Sequence, residues 1–310
     1  MIISVFINVA SAKNNNEITY SPNWVVGESA SYTIVKTSTN AKYFTTSHVN
    51  IKVIEKNSSG YVLESKFGDV EPSSEYKELP METQALLADI NKITINQVIR
   101  YKINNNGTFQ EILNVDELRD SANKSLDLIV NELPEGSDKE AIKNIGQKMI
   151  QNGSVIKNIS MELGSLHSDF ICGRRFNIGQ KYFAEVQTPN LFDPSLPFEG
   201  LISIMVSRDG NVITYRISNV FDMEKFIKNT SSMVAKMPGA NVSDSKLKEF
   251  EETVHDSKLV DSYNITVLDG ENWIEQCSFE RKITIQGKIV TENFVITRDR
   301  GTNSKTSVIE

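Results

Sequence analysis

Three histidines and two cysteines are the whole supply of imidazole and thiol groups for metal binding or nucleophilic chemistry in this chain of 310 residues. His48, His167 and His255 fall in different segments, and none stands in an HxH, HxxxH or CxxC arrangement. The close spacings from which a structural zinc site draws its four N/S ligands are therefore missing. Ser165, His167, Ser168 and Asp169 supply the residue types of a hydrolytic triad. Neighbours so close along a chain rarely aim at one atom, and His167 reads instead as a surface or helix-terminal residue. Glu111 and Glu275 each stand next to a hairpin aromatic. Facing one cleft they would make a glycosidase pair; on outward strand faces they serve solubility, which is the preferred reading. Arg174-Arg175 is a compact basic spot that reads as the partner of a nearby acid. There is no Gly-x-Ser-x-Gly elbow, no phosphate-binding Gly-Lys-Ser/Thr and no Gly-x-Gly-x-x-Gly. The sequence thus assigns no catalytic residue, no metal ligand and no cofactor. It leans away from an enzyme, with a carboxylate-based hydrolase as the alternative.

Composition narrows the class further. With 39% hydrophobic and 24% charged residues the chain is a folding one, long enough for one large or two modest domains. A net charge of -7 and a pI near 5.3 argue against a nucleic-acid partner, whose affinity would come from a basic face. Met1 to Val9 is a short uncharged apolar run, and Ala10-Ser11-Ala12 places small residues where a signal peptidase reads. Residues 1-12 are read as a signal peptide cleaved after Ala12, and the abundance of Asn, Lys and Ile suggests a bacterial source. The expected location is secreted or periplasmic. No later stretch approaches the about 20 apolar residues of a transmembrane helix. In an oxidising compartment Cys172 and Cys277 are candidates for one disulfide, with two separate buried thiols as the alternative.

The elements that would position any site repeat themselves. Trp24-Val25-Val26-Gly27-Glu28 precedes an alternating segment from Ser31 to Thr37, as Phe176-Asn177-Ile178-Gly179-Gln180 precedes Tyr182 to Gln187. A hairpin with strands at Val49 to Ile54 and Tyr61 to Lys66 corresponds to one with strands at Leu201 to Val206 and Val212 to Ile217. A helical pattern follows in each half. Tyr101-Lys102-Ile103 with Gly107, Phe109 and Glu111 then matches Tyr263-Asn264-Ile265 with Gly270, Trp273 and Glu275. A further hairpin about Gln286-Gly287 has no counterpart in the first half. Asp-Gly at 209-210 and 269-270 favours tight turns. Trp24 and Phe176 are expected to cover one end of the core.

Helices interrupt this pattern. Val115, Leu118, Ala122, Leu126, Ile129 and Leu133 share one face, and Asn114 with Glu117 matches a capping box, as does Ser137 with Glu140. Together with Ile156, Ile159, Leu163 and Leu166 these make a helical insert. Met223, Phe226, Ile227, Met233, Val234 and Met237 form another stripe, stopped by Pro238-Gly239, and Leu247, Phe250 and Val254 a shorter one. The expected fold is α+β: antiparallel sheet from two related hairpin-rich halves, residues 13-114 and 171-310, with amphipathic helices on one face and an insert, residues 115-170, between them. Such an architecture encloses an apolar cavity, and lipoprotein-carrier and lipid-chaperone folds are similar to it. That resemblance implies a non-catalytic binding protein with a small hydrophobic ligand held near Met223, Phe226 and Met233. An envelope-protein partner is the third alternative.

Overall fold

Alternation with period two builds the strands of the computed structural model, which describes residues 16–38, 45–72, 78–95, 97–133, 135–188, 197–236 and 243–300. The leader, its cleavage point and the Pro238-Gly239 stop lie outside the described residues. Thirteen strands and six helices follow one another among those described. The first half holds β1 (Glu17–Thr19), β2 (Ser29–Ser38), β3 (Thr45–Asn57), β4 (Gly60–Pro72), α1 (Met81–Ile95), β5 (Val98–Asn104) and β6 (Phe109–Ile112). Three helices come next, α2 (Val115–Glu132), α3 (Ser137–Gln151) and α4 (Ser154–Leu166). The chain continues through β7 (Arg175–Asn177), β8 (Lys181–Thr188), β9 (Phe198–Asp209), β10 (Val212–Phe221), α5 (Met223–Lys236) and α6 (Asp244–Val254). It ends in β11 (Lys258–Leu268), β12 (Ile274–Ile285) and β13 (Lys288–Arg298).

Eleven strands form one open sheet in the order β6-β5-β4-β3-β2-β13-β12-β11-β10-β9-β8, with every pair antiparallel. The hairpin without a sequence counterpart supplies β13, which joins β2 to β12. β1 and β7 pair antiparallel as a separate ribbon. One face of the sheet is the core face. Tyr32, Val49, Leu63, Tyr101, Val206, Tyr215, Ile265 and Cys277 are buried there with Trp24, Phe176 and Trp273, and with Leu163 and Leu166 of α4. Trp24 and Phe176 are each 1% exposed, so both recurring aromatics are packing residues. The glycines that follow them do the same job twice: Gly27, at φ 92°, donates its N–H to the Val53 carbonyl at 2.8 Å, and Gly179, at φ 79°, donates to Val206 at 2.8 Å. Each turns the chain into its strand while satisfying a backbone acceptor of the neighbouring hairpin.

The helices lie where the periodicity puts them, but their starts differ. Asn114 stands at the N-cap of α2 but its side chain makes no cap hydrogen bond to the helix backbone. Its Oδ1 accepts the Arg100 N–H and its Nδ2 donates to the Val98 carbonyl and to Glu117, so it ties the helix start to β5 instead. Ser137 lies inside α3 behind the N-cap Gly136, with no side-chain cap.

One turn is sterically fixed. A Cβ at Gly60, φ 145°, would stand 2.0 Å from the Ile103 carbonyl oxygen, so β4 can approach β5 here only without a side chain. Gly60→Ala is expected to cost roughly 3 kcal/mol, read as a lower urea midpoint at unchanged m-value, because backbone rather than a mobile side chain must yield.

Candidate functional site

A row of aromatic rings crosses the core face where it emerges from the fully buried centre. Phe170, in the segment after α4, packs on Tyr263 of β11 at 5.1 Å between centroids; Tyr263 meets Phe279 of β12 at 4.9 Å, and Phe279 stacks on Phe294 of β13 at 4.8 Å. Strand register places them so, since Tyr263 is opposite Phe279 and Phe279 opposite Phe294. Phe170 is buried, whereas the other three are half-buried, leaving apolar surface partly open.

Two residues further along the same strands the row turns polar. Asn219, Asp261, Arg281 and Glu292 stand in register on β10, β11, β12 and β13. Arg281 gives Asp261 two parallel N–H donors, from Nε at 2.8 Å and from one Nη at 2.8 Å, and its guanidinium lies 5.6 Å from the Phe279 centroid. The Asp261 side chain is 5% exposed and that of Arg281 35%. Asp261 holds the Arg281 guanidinium more firmly protonated than usual. Asn219 is buried, and its Oδ1 has no hydrogen-bond partner. An aromatic strip flanked by a polar row with a part-exposed guanidinium can seat an apolar body and orient a polar end.

The residues singled out from sequence are placed apart from this row. Met223 opens α5 and is half-buried; Phe226 packs on Phe198 of β9 at 4.7 Å between centroids; the Met233 side chain lies outside the described residues. The candidate disulfide is not formed. Cys172 and Cys277 are both free and buried. The Cys172 thiol is turned to the His167 carbonyl at 3.1 Å, while Cys277 sits on the core face of β12 opposite Ile265 and Ile296. Burial pushes both thiols up, Cys277 to about 12, so neither is a poised nucleophile.

The two carboxylates do not meet. Six strand steps of about 4.8 Å separate β6 from β12 along the sheet, an arc of about 29 Å. Glu111 is ion-paired with Lys102, and Glu275 takes two hydrogen bonds from Arg300. The Ser165 to Asp169 cluster does not converge either. His167 is the helix-terminal residue expected, but it is buried rather than at the surface, and its Nε2 lies 2.7 Å from the Tyr101 hydroxyl, which lies 3.0 Å from Ser65 Oγ. Burial drives its pKa down to about 3. Asp169 turns the other way and accepts the Phe109 N–H; burial raises it to about 7, with that hydrogen bond and Arg174 pulling back. Arg175 is 3.7 Å from Glu17.

The opposite face of the sheet carries a shallow trough of about 660 Å³ across β8 to β13, with Lys181, Met205, Arg216, Asn264 and Ser278 among its lining residues. Among the described residues no group of His, Cys, Asp and Glu is placed to hold a metal, and no helix is long and apolar enough to cross a membrane.

No family model matches this chain, and no curated protein does. Among solved structures it is similar to one described as lipid-protein interactions in lipovitellin, over 92% of this chain and 27% of that one, at 8% identity and a TM-score of 0.44. This chain therefore spans about a quarter of the length of that chain.

Proposed function

We propose that this protein is an exported, non-catalytic binding module of the bacterial envelope that takes a small hydrophobic or lipid-like ligand on the core-side face of its open sheet. The observation that carries the reading is the half-buried row Tyr263, Phe279 and Phe294, bounded by Phe170 and by the Asp261–Arg281 pair. The apolar part of the ligand lies along the rings, and its polar end reaches the part-exposed Arg281. Met223 and Phe226 on α5, with Met233 of the same sequence stripe, make a second contact region for the ligand, with Phe226 seated on Phe198. The export part rests on the leader pattern at Met1 to Ala12. Its ordinary acidic composition suits a module whose specificity comes from shape.

The two halves are read as an internal duplication. Matching glycine turns onto Val53 and Val206, and the same succession of strands from β2 to β6 and from β8 to β12, support it. The helices α2 to α4 are then the insert, and β13 the strand that joins the copies.

Delipidated protein titrated with palmitate is expected to show a one-to-one adduct by native mass spectrometry. Phe279→Ser and Phe294→Ser, each checked for folding by circular dichroism, should weaken it at least about tenfold, the loss expected when an apolar contact worth about 1.4 kcal/mol is removed. Absence of an adduct with both palmitate and a phosphatidylglycerol would sink the reading. So would undiminished binding by the two variants.

A further inference from the structure

An open sheet has two ends, and here they are unlike. β6 spans Phe109–Ile112 and is packed by α4, whereas β8 runs from Lys181 to Thr188 and pairs through one edge alone, with β9. Among the described residues no strand pairs with the other edge of β8. Its row of unpaired backbone donors and acceptors is a template for another strand. Natural edges of this kind are blunted by proline, by a bulge or by charged side chains, and of these β8 has only the charges of Lys181 and Glu185, which are opposite in sign. Instead it displays Lys181, Phe183 and Glu185 side by side on the face away from the core. Phe183 is 57% exposed, and the Lys181 ammonium lies 5.1 Å from its ring centroid.

We propose that β8 is the seam of a homodimer, in which a second copy of this chain pairs antiparallel with it about a twofold axis through Phe183. Continuity of the two sheet faces requires that paired residues share a face, so the sum of their numbers must be even. Centring on Phe183 sets Lys181 of each copy against Glu185 of the other and Phe183 against itself. Centring on Glu185 sets like charges in opposition, and centring on Tyr182 or Ala184 sets Phe183 against a charged residue. Centring on Phe183 therefore gives two cross-strand ion pairs around a covered aromatic pair. Lys225, the other cation near Glu185, is already held by Glu199. The contact is one short strand pair, at the small end of specific interfaces, so the dimer is a weak one that forms with rising concentration.

Sedimentation velocity from about 1 μM to about 1 mM, the range that suits a small interface, tests it. The natural chain should pass from monomer to dimer. K181E and E185K, exposed changes that leave folding intact, should each weaken dimerisation at least tenfold, and the K181E/E185K exchange should return it to within about threefold of the parent. A monomer at the highest concentration overturns the proposal. So does a dimer indifferent to the single reversals, or a double exchange no better than either.

Discussion

Asp169→Asn is expected to make stability climb steeply with pH between about 4 and 6.5, relative to the parent protein. The cause is a pair of buried groups near the end of α4 whose titrations oppose each other. His167 falls from an ordinary value near 6.5 to about 3 on burial. Between those values the unfolded chain binds a proton that the folded chain refuses, so stability rises with pH by about 1.4 kcal/mol per unit. Asp169 is raised from 3.8 to about 7. Between those values the folded chain holds a proton that the unfolded chain has lost, and stability falls as pH rises. Partial solvent contact at Asp169 narrows that window from its upper end and leaves the slope inside it unchanged. Across about pH 4 to 6.5 the two slopes largely offset. Asparagine at 169 removes one and exposes the other; His167→Gln should give the mirror result, with stability declining from about pH 4 to 7. Arg174 and Cys172 lie against Asp169, and Tyr101 against His167, and none of these changes charge in the window. Urea midpoints at half-unit pH steps read the difference, and parallel curves for parent and D169N would refute the pairing.

What was legible in the sequence is what local geometry writes there. Strands with alternating burial, tight turns at Asp209-Gly210 and Asp269-Gly270, and amphipathic helices after β6 and β10 all stand where periodicity placed them. Burial of Trp24 and Phe176 was legible too, because an aromatic ahead of a chain-turning glycine has little choice but to pack. Failures occur where a distant partner decides. Asn114 satisfies β5 rather than its own helix because unpaired backbone groups of Arg100 and Val98 lie within its reach. His167 is buried because Tyr101, far away in sequence, offers its hydroxyl. The aromatic row escaped for the same reason. Residues 170, 263, 279 and 294 have no common period, and only the register of β11 with β12 and of β12 with β13 aligns them. A helical methionine stripe announces itself in sequence, whereas a row running across strands does not. Met223, Phe226 and Met233 form such a helical stripe. The period-two pattern of each strand did contain a usable signal: Tyr263, Phe279 and Phe294 each share the parity of the buried residues on their own strand, Ile265, Cys277 and Ile296.

Arg281→Ala is expected to cost about 3–5 kcal/mol of unfolding free energy, the loss typical of stranding one member of a buried ion pair. The cost falls on the partner left behind. Asp261 is 5% exposed at its side chain, so without the guanidinium its carboxylate would face Asn219, itself short of a donor, and a wall of half-buried rings. The reverse change is cheaper. Arg281 is 35% exposed, and a guanidinium released by Asp261→Asn can turn its charge to water while its stem stays on Phe279. We expect about 1–2 kcal/mol for that variant, in the range for a lost charge-assisted hydrogen bond. A double replacement, Asp261→Leu with Arg281→Met, should recover most of the single Arg281 loss, because apolar residues of similar size remove the desolvation cost at both ends. Guanidinium denaturation of the four proteins measures this directly. Equal losses for the two single variants would show that the carboxylate is not the stranded charge. The double replacement also separates stability from binding. If the pair only braces β11 against β12, the double variant should keep palmitate affinity with its fold restored. If the guanidinium orients the polar end of the ligand, the double variant should fold well and bind at least about tenfold more weakly.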